Sequence, residues 1–337
     1  MLVQACDKFF AIPLWANIQE GLGKVADTED AKQPKTIRIV HMAQRVAGAM
    51  KSPACLVLDA YFAVGPVFQA AARELDAGGH LVHILTRAKK NVVAYLPAPP
   101  RKKRKRGRRR KYGKKLKLMK LFDSKAKAYK FQTAQAAVYN RREPVRYFVL
   151  DLLWKPTKGM LRFILVESSR GRMILISSDL KLDPIATIEL YCRRVTIETL
   201  FGTLKNTLGG MGYHFWSQYL DPASCRPKKN AQQRQDSSDV AQTRNTLAAI
   251  EKFVNVQLLA LGVLQLIAKA HPAQVKAKAA CWLRTVTSNT PSEFVTRTAL
   301  IKVIKSNLYS LGKDWITQLI RQKQESHKTA GLYRNVA

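Results

Sequence analysis

The chain has 337 residues, and its 58 lysine and arginine residues outnumber 23 aspartate and glutamate residues, which gives a formal charge of +35 at pH 7. Hydrophobic residues make up 47% of the chain, so a core can form and the composition excludes a wholly disordered protein. The excess positive charge predicts a polyanionic partner: nucleic acid first, and an anionic membrane surface second.

The sequence carries no strong targeting or membrane signal. Its five cysteines are far apart and form no Cys-x-x-Cys pair, which argues against a disulfide scaffold and a structural zinc site. The first residues lack the positive lead and the cleavage site of a signal peptide. The longest apolar stretch, 254–268, is too short to span a bilayer and contains three side-chain amides. We therefore expect a cytoplasmic protein without a membrane partner.

The first part of the chain predicts alternating strands and helices. Aromatic and branched residues favour a strand or strand pair over 2–17, and helical spacing over 36–50 ends at Ser52-Pro53. The following pattern is a buried strand, a helix, a glycine break and a further strand, at 54–61, 64–76, 78–79 and 80–87. This order predicts an α/β sheet with some parallel strands.

A basic run interrupts this pattern. Residues 101–120 contain 14 lysines and arginines and no acidic residue, so they are expected to form a solvated loop or arm that follows a DNA backbone. A nuclear-localisation signal is the alternative interpretation. The residues of the run that are expected to bind DNA are Arg101, Lys102, Lys103, Arg104, Lys105, Arg106, Arg108, Arg109 and Arg110.

The remainder is predicted to form strands and then helices. Strands are predicted over 145–154, 160–167 and 172–178. Asp183-Pro184 predicts the start of one long helix that ends at Gly209-Gly210. From Ser237 the pattern is helical, with breaks near 271–273, 290–291 and 311–313.

Four polar side chains on the long helix are candidates for function. Tyr191, Arg194, Glu198 and Lys205 lie at offsets of 0, 3, 7 and 14, which places them within about 60° of one another on an ideal helix. The adjoining apolar face is expected to pack on the sheet and consists of Leu190, Ile197, Leu200, Phe201 and Leu204. The alternative is a surface stripe with one weak Arg–Glu pair.

The spacing Tyr-x2-Arg-x3-Glu-x6-Lys resembles the signature of insertion-sequence transposases with a DDE triad of acids and a ribonuclease-H-like fold. The segment V-L-D-A-Y-F (57–62) resembles the second catalytic region of that family, and the resemblance extends over about 2–220. It implies an α/β ribonuclease-H-like mixed sheet with a β-rich insertion and a helical C-terminal region. The implied parts are a core at 1–95, a basic arm and insertion at 96–170, the rest of the core at 171–215, and a loop and helices at 216–337.

The resemblance also implies roles for the site residues. Asp59 and Glu198 would be catalytic and would hold Mg²⁺ or Mn²⁺, which prefer hard oxygen ligands. Tyr191, Arg194 and Lys205 would hold the DNA backbone. The partners would be double-stranded DNA, both transposon ends and target, and a second copy of the chain in a nucleoid-associated bacterial complex. For Asp59 alone, capping of the following helix is the alternative.

One member of the triad is not evident. The acids ahead of Asp59 are Asp7, Glu20, Asp27, Glu29 and Asp30, whereas residues 10–21 resemble the segment that comes after the first catalytic region in that family. We therefore expect the first aspartate to precede Met1 and the chain to be a truncated, nearly inactive copy, with Asp7 as the auxiliary candidate.

Further alternatives concern Asp179, Trp154 and the function as a whole. Asp179 is an auxiliary acid or a turn residue, and Trp154 stacks on an extruded base or belongs to the core. A non-catalytic basic nucleic-acid-binding protein, with Asp59 and Glu198 in structural roles, is the main functional alternative. A hydrolase of the same fold that does not join DNA ends is another.

Overall fold

The computed structural model describes residues 1–5, 8–18, 34–73, 81–100, 110–123, 129–139, 141–212, 237–281 and 286–310. The chain divides into two compact units. We call Gln19–Val195 the sheet unit, and Met1–Ile18 with Thr196–Ala337 the hairpin–helix unit.

Strands and helices are numbered along the chain. The strands are β1 Leu2–Ala5, β2 Lys8–Ala11, β3 Ala54–Leu58, β4 Val82–Arg87, β5 Val93–Pro97, β6 Tyr112–Lys117, β7 Gln132–Val138, β8 Arg141–Trp154, β9 Gly159–Ser168 and β10 Gly171–Ser177. The α-helices are α1 Lys35–Met50, α2 Gly65–Ala71, α3 Pro184–Cys192, α4 Thr196–Thr207, α5 Ser237–Ala270, α6 Pro272–Ala279 and α7 Glu293–Ser310. Short 3₁₀ helices are Ala60–Phe62, Leu118–Leu121 and Arg193–Val195.

The sheet unit is built on one mixed sheet of eight strands. Its order is β3-β4-β10-β9-β8-β5-β6, and β7 also pairs with β8. The β3–β4 pair is parallel, whereas the other neighbours are antiparallel. The predicted mixed α/β fold class with parallel strands and a helical C-terminal region is confirmed. The strands of the predicted insertion at 96–170 continue the same sheet, since β9 pairs with β10, which lies directly beside β4.

Alternate residues of the sheet supply two apolar layers. One face packs against α1 and α2 through residues such as Val40, Phe68 and the fully buried Phe163. Trp154 lies in this layer, with its ring edge-to-face against Phe68 at 5.6 Å, so the core interpretation of this tryptophan is confirmed. The opposite face packs against α3 through Leu85, among others.

Strand β6 corrects the expectation of a basic arm over the whole of 101–120. Tyr112–Lys117 pairs antiparallel with β5. Leu116 of this strand is buried in the core, while Lys115 and Lys117 are exposed. Lysines are common on an edge strand because their charge and solvation discourage pairing with another chain. A lysine-rich sequence with few apolar positions therefore resembles a loop although it forms a strand.

The predicted long helix is interrupted, which is a second correction. Helix α3 begins as expected, with Pro184 in its first turn and Asp183 Oδ2 accepting a hydrogen bond from the Ala186 amide at 2.8 Å. It ends at Cys192, where the 3₁₀ turn Arg193–Val195 separates it from α4. A 3₁₀ turn advances about 120° per residue instead of 100°. The angles calculated for one continuous helix therefore apply only within α3 and within α4, and the two units divide at the end of this turn.

The hairpin–helix unit confirms the strand pair and the C-terminal helices. Strands β1 and β2 pair antiparallel, and the helices break at 271 and again between 280 and 292, whereas the break expected near 311–313 lies outside the described residues. Helix α4 buries Leu200 and Leu204 against α5, within a cluster that also includes Leu258 and Leu261. Ile197 and Phe201 are 44% and 52% exposed, so the expected packing of this apolar face on the sheet is confirmed for Leu190 alone, which contacts the layer beneath α3.

One helix of the described residues, Ala241–Ala270, is long and apolar enough to cross a membrane by length and composition alone. One such helix is weak evidence for a membrane span, because a helix in the core of a protein can have the same length and apolar composition. Its Glu251 carboxylate accepts a hydrogen bond from the Ile18 amide at 3.0 Å, and Asn255 bonds the backbone of Ala16. This helix therefore makes polar contacts within its own unit.

We predict that Asp183→Ala destabilises the protein by about 1 kcal/mol, because the first turn of α3 loses its side-chain acceptor. Chemical denaturation followed by circular dichroism measures the change. Asp183→Asn is the matched control, since an amide oxygen also caps a helix while the charge is removed. Equal losses in both variants would contradict the assigned hydrogen bond.

Candidate functional site at the end of strand β3

Asp59 follows the last residue of β3 and is exposed. Its Oδ1 accepts a hydrogen bond from the Ala60 amide at 2.6 Å and caps the 3₁₀ helix Ala60–Phe62. Its backbone carbonyl accepts a hydrogen bond from Thr86 Oγ1 of β4 at 2.8 Å. The capping role expected as an alternative is therefore present, and it uses only one carboxylate oxygen.

The second oxygen of Asp59 makes no hydrogen bond to the described part of the chain. An exposed carboxylate oxygen without a protein partner is the hard donor that Mg²⁺ and Mn²⁺ take. The residue therefore fits one ligand position of such an ion while its other oxygen fixes the orientation of the carboxylate.

Arg87 lies beside Asp59 at the same edge of the sheet. The parallel register pairs Val57 with Leu85 and Leu58 with Thr86, so one residue further places Asp59 beside Arg87. Val57 and Leu85 both pack in the layer beneath α3. Because side chains alternate between the faces of a strand, Asp59 and Arg87 belong to the same α3 face.

Tyr191 of α3 lies close to both residues. It is 6% exposed and packs in the same apolar layer, so it does not project into solvent as the helical pattern predicts. Burial raises the pKa of Tyr191, the Arg194 and Arg87 guanidinium groups oppose the increase, and the Asp59 carboxylate adds to it. Four residues of the sheet unit thus share one electrostatic neighbourhood: Asp59, Arg87, Tyr191 and Arg194.

Glu198 and Lys205 belong to α4 and therefore to the hairpin–helix unit. Both are exposed, and their spacing of seven residues places them on one face of this helix. The meeting of Asp59 and Glu198 at one metal ion stays a prediction. Within the described residues, no group of three His, Cys, Asp or Glu side chains is placed to hold a metal ion.

Asp179 lies away from Asp59 along the sheet. Strand β10 runs antiparallel to β4, and the Ser178 amide donates to the Ile84 carbonyl, which places Asp179 near the start of β4. Partial burial of the thiol and then the Asp179 carboxylate raise the pKa of Cys55 to about 11, although the Cys55 residue is exposed. Asp179 Oδ1 accepts a hydrogen bond from the Lys181 amide at 2.7 Å. These contacts favour the turn interpretation over the auxiliary acid.

The remaining sequence candidates lie largely outside the described residues. Asp7 falls in the undescribed connection between β1 and β2, and 101–109 fall between β5 and β6. Arg110 is described and exposed. At the base of the same connection, Lys155 Nζ lies 4.7 Å from the centre of the Tyr95 ring and 5.8 Å from that of Tyr112. This cation–aromatic cluster has no counterpart among the sequence signals.

Arg87 is the main site residue missed from the sequence. The signal was present: two neighbouring predicted strands end in V-L-D and L-T-R, and parallel neighbours end at the same edge. When two strands are known to be parallel neighbours, charged residues at their ends are predicted to lie side by side.

The family described as Transposase DDE domain matches residues 2–211. A comparison with curated proteins found no match. The family match covers more than half of the chain and includes β3, Asp59, α3 and the residues Tyr191, Arg194, Glu198 and Lys205. With a mixed sheet of eight strands and a helical C-terminal region, the chain belongs to the DDE transposase domain family.

Proposed function

We propose that the protein binds transposon-end DNA and that Asp59 and Glu198 hold the Mg²⁺ or Mn²⁺ ions for strand cleavage and transfer. The observation that carries the proposal is the arrangement at the end of β3, where Asp59 offers a hard oxygen beside Tyr191 and Arg194. Bound divalent ions would stabilise the attacking and leaving oxygens of a phosphodiester.

The chain's own residues orient the DNA in this proposal. Arg194, close to Tyr191, presents a planar guanidinium, whose paired donors match the oxygens of a phosphate. Lys205 supplies a point charge from the exposed face of α4. The apolar layer packs around the Tyr191 ring, so few side-chain rotamers are open to it and its hydroxyl is pre-positioned.

The basic run at 101–110 adds affinity that does not depend on sequence. Its cations would bind phosphates of transposon ends and target alike, and each neutralised phosphate steepens the dependence of binding on salt. We propose that the protein is cytoplasmic and that this charge keeps it bound to the DNA of the nucleoid.

A non-catalytic DNA-binding protein is the second candidate. It is favoured by one observation, the hydrogen bond that Asp59 Oδ1 accepts from the Ala60 amide at the start of a 3₁₀ helix. In that case Asp59 serves only as the cap of the 3₁₀ helix that follows it. The two candidates differ in whether removal of its charge changes metal binding.

We predict that Asp59→Asn and Glu198→Gln each weaken Mn²⁺ binding to the protein–DNA complex by at least about tenfold, because a carboxylate ligand is removed. Calorimetric titration of Mn²⁺ measures the change. Asp59→Asn keeps an oxygen acceptor for the Ala60 amide, so the local fold is retained. Asp179→Asn is the control and should bind Mn²⁺ as the parent chain does. Equal affinity in all four proteins would favour the non-catalytic candidate.

We predict that the 337-residue chain binds duplex DNA and that Asp59 and Glu198 without a third acid support little or no Mg²⁺-dependent strand cleavage, because a two-metal site that lacks one ligand loses several kcal/mol of transition-state stabilisation, about a thousandfold in rate. Gel analysis of labelled duplexes measures both properties. Strong cleavage that is abolished by Asp7→Ala would instead identify Asp7 as the first acid of the triad.

We also propose that the protein forms a homodimer in its DNA complex, through an exposed face of α5. Val256, Leu259, Val263 and Leu266 are between 45% and 69% exposed. Their steps of three, four and three residues are those of a coiled-coil seam, and the four residues cover about 15 Å of helix. Pairing two identical copies would bury eight large apolar side chains, a self-complementary arrangement that a two-fold axis permits.

We predict that replacing Leu259 and Leu266 together by lysine shifts the protein from dimer to monomer, because like charges then face each other across the seam. Sedimentation velocity with and without DNA measures the change. Ala241→Lys, at an exposed position of the same helix, is the control. A monomeric parent chain in both conditions would contradict the proposal, and binding of α5 to lipid vesicles would identify a bilayer as the occupant instead.

A further inference from the structure

Arg87, beside Asp59, is an arginine whose charge has no evident partner in the described part of the chain. Arg87 is half-buried at the end of β4, between the position of Asp59 on one side and Leu175 of β10 on the other. Within the described residues its guanidinium makes no hydrogen bond and no ion pair. Arg162, by comparison, binds both oxygens of Asp151 at 2.9 Å.

A guanidinium without an acidic partner is costly when it is partly removed from water. The backbone position of Arg87 is fixed, because the Thr86 hydroxyl donates to the Asp59 carbonyl and the Ala88 amide donates to the Ile174 carbonyl at 2.7 Å. The two flanking residues are buried, so the backbone cannot turn Arg87 out into solvent without loss of these contacts. The strand thus anchors the base of the Arg87 side chain beside Asp59.

A site that combines a carboxylate with a DNA substrate has an electrostatic problem. The Asp59 carboxylate repels a phosphate that approaches it, and the repulsion is strongest in the absence of a metal ion. A cation that is anchored at the neighbouring register position offsets this repulsion and supplies two parallel donors to phosphate oxygens. Lys89 and Lys90, both exposed, extend the positive charge from Arg87 along the β4–β5 turn.

We propose that Arg87 binds a DNA phosphate at the Asp59 site and so acts as a further substrate-binding residue, outside the Tyr-Arg-Glu-Lys signature. This inference rests on the proposed function in taking DNA as the ligand. It does not require that the chain cleaves DNA or that Asp59 binds metal. The phosphate bound by Arg87 lies on the α3 face of the sheet, beside Tyr191.

The first test is the salt dependence of binding to a fluorescent duplex, measured by anisotropy with the full chain and without divalent metal. Arg87→Ala and Arg87→Gln should weaken binding about tenfold and reduce the steepness of log Kd against log salt by about 0.9, the value for one phosphate contact. Arg87→Lys keeps the charge, so it should keep the slope and lose only part of the affinity. If Arg87→Ala does not fold, Arg87→Gln and Arg87→Lys still separate charge from structure.

Arg142→Ala is the matched control. Arg142 is an exposed arginine of β8, three strands away from β4 in the sheet, and it has no hydrogen bond or ion pair in the described part of the chain. Its removal takes away the same charge and should leave the slope unchanged. An unchanged slope in Arg87→Ala as well would overturn the proposal.

The second test asks whether the phosphate that Arg87 binds lies beside Asp59. Asp59→Asn should strengthen metal-free DNA binding in the parent chain, because it removes a repulsive charge, and should do so much less in the Arg87→Ala background. Additive effects would show that Arg87 binds its phosphate elsewhere and would overturn the assigned position. Failure of the proposed function is distinguishable, because Asp59→Asn would then leave Mn²⁺ affinity unchanged while the Arg87 results stand.

Discussion

The site depends on the parallel pairing of two strands that end at the same edge of the sheet. The β3–β4 ladder, locked by the hydrogen bond from Thr86 to the Asp59 carbonyl, sets both the height and the face of the residues that end each strand. A slip of one residue would turn Asp59 and Arg87 to opposite faces. Helix α3 then covers the same face and brings Tyr191 over this edge. The chemistry of the site therefore depends on a backbone register.

The electrostatics of this edge reconcile two opposing needs. In the proposed function, a carboxylate that holds a divalent ion brings negative charge to the site, whereas a surface that receives DNA needs positive charge. Exposure of Asp59 keeps the cost of desolvating its charge small. The surrounding cations belong to different elements: Arg87 ends β4, and Arg194 lies in the turn after α3. The positive charge near Asp59 is therefore supplied by more than one element. The overall charge of +35 acts at longer range and is screened by salt, unlike these close neighbours.

Local pattern predicted the elements with strong periodicity. The helix at 36–50, the strands at 54–61 and 80–87 and their parallel arrangement could be derived from buried runs and glycine or proline breaks. Strand β5 was missed because its sequence is short and borders prolines, and β6 because lysines at an edge resemble a loop. The break at Arg193–Val195 was not predictable, since its residues are compatible with a helix; it falls where the chain passes from one compact unit to the other. Arg194 lies close enough to Tyr191 to oppose the rise in its pKa, and the burial of Tyr191 depends on packing that no spacing reveals.

The basic run connects two adjacent strands at one edge of the sheet. Strands β5 and β6 are adjacent and antiparallel at the edge of the sheet, with Pro97 opposite Tyr112, so the chain leaves and re-enters the sheet at neighbouring points. A connection of that kind can lengthen, shorten or change its charge without disturbing the strands on either side. Under the proposed function, the affinity that the basic run adds and the geometry around Asp59 can therefore change independently of each other.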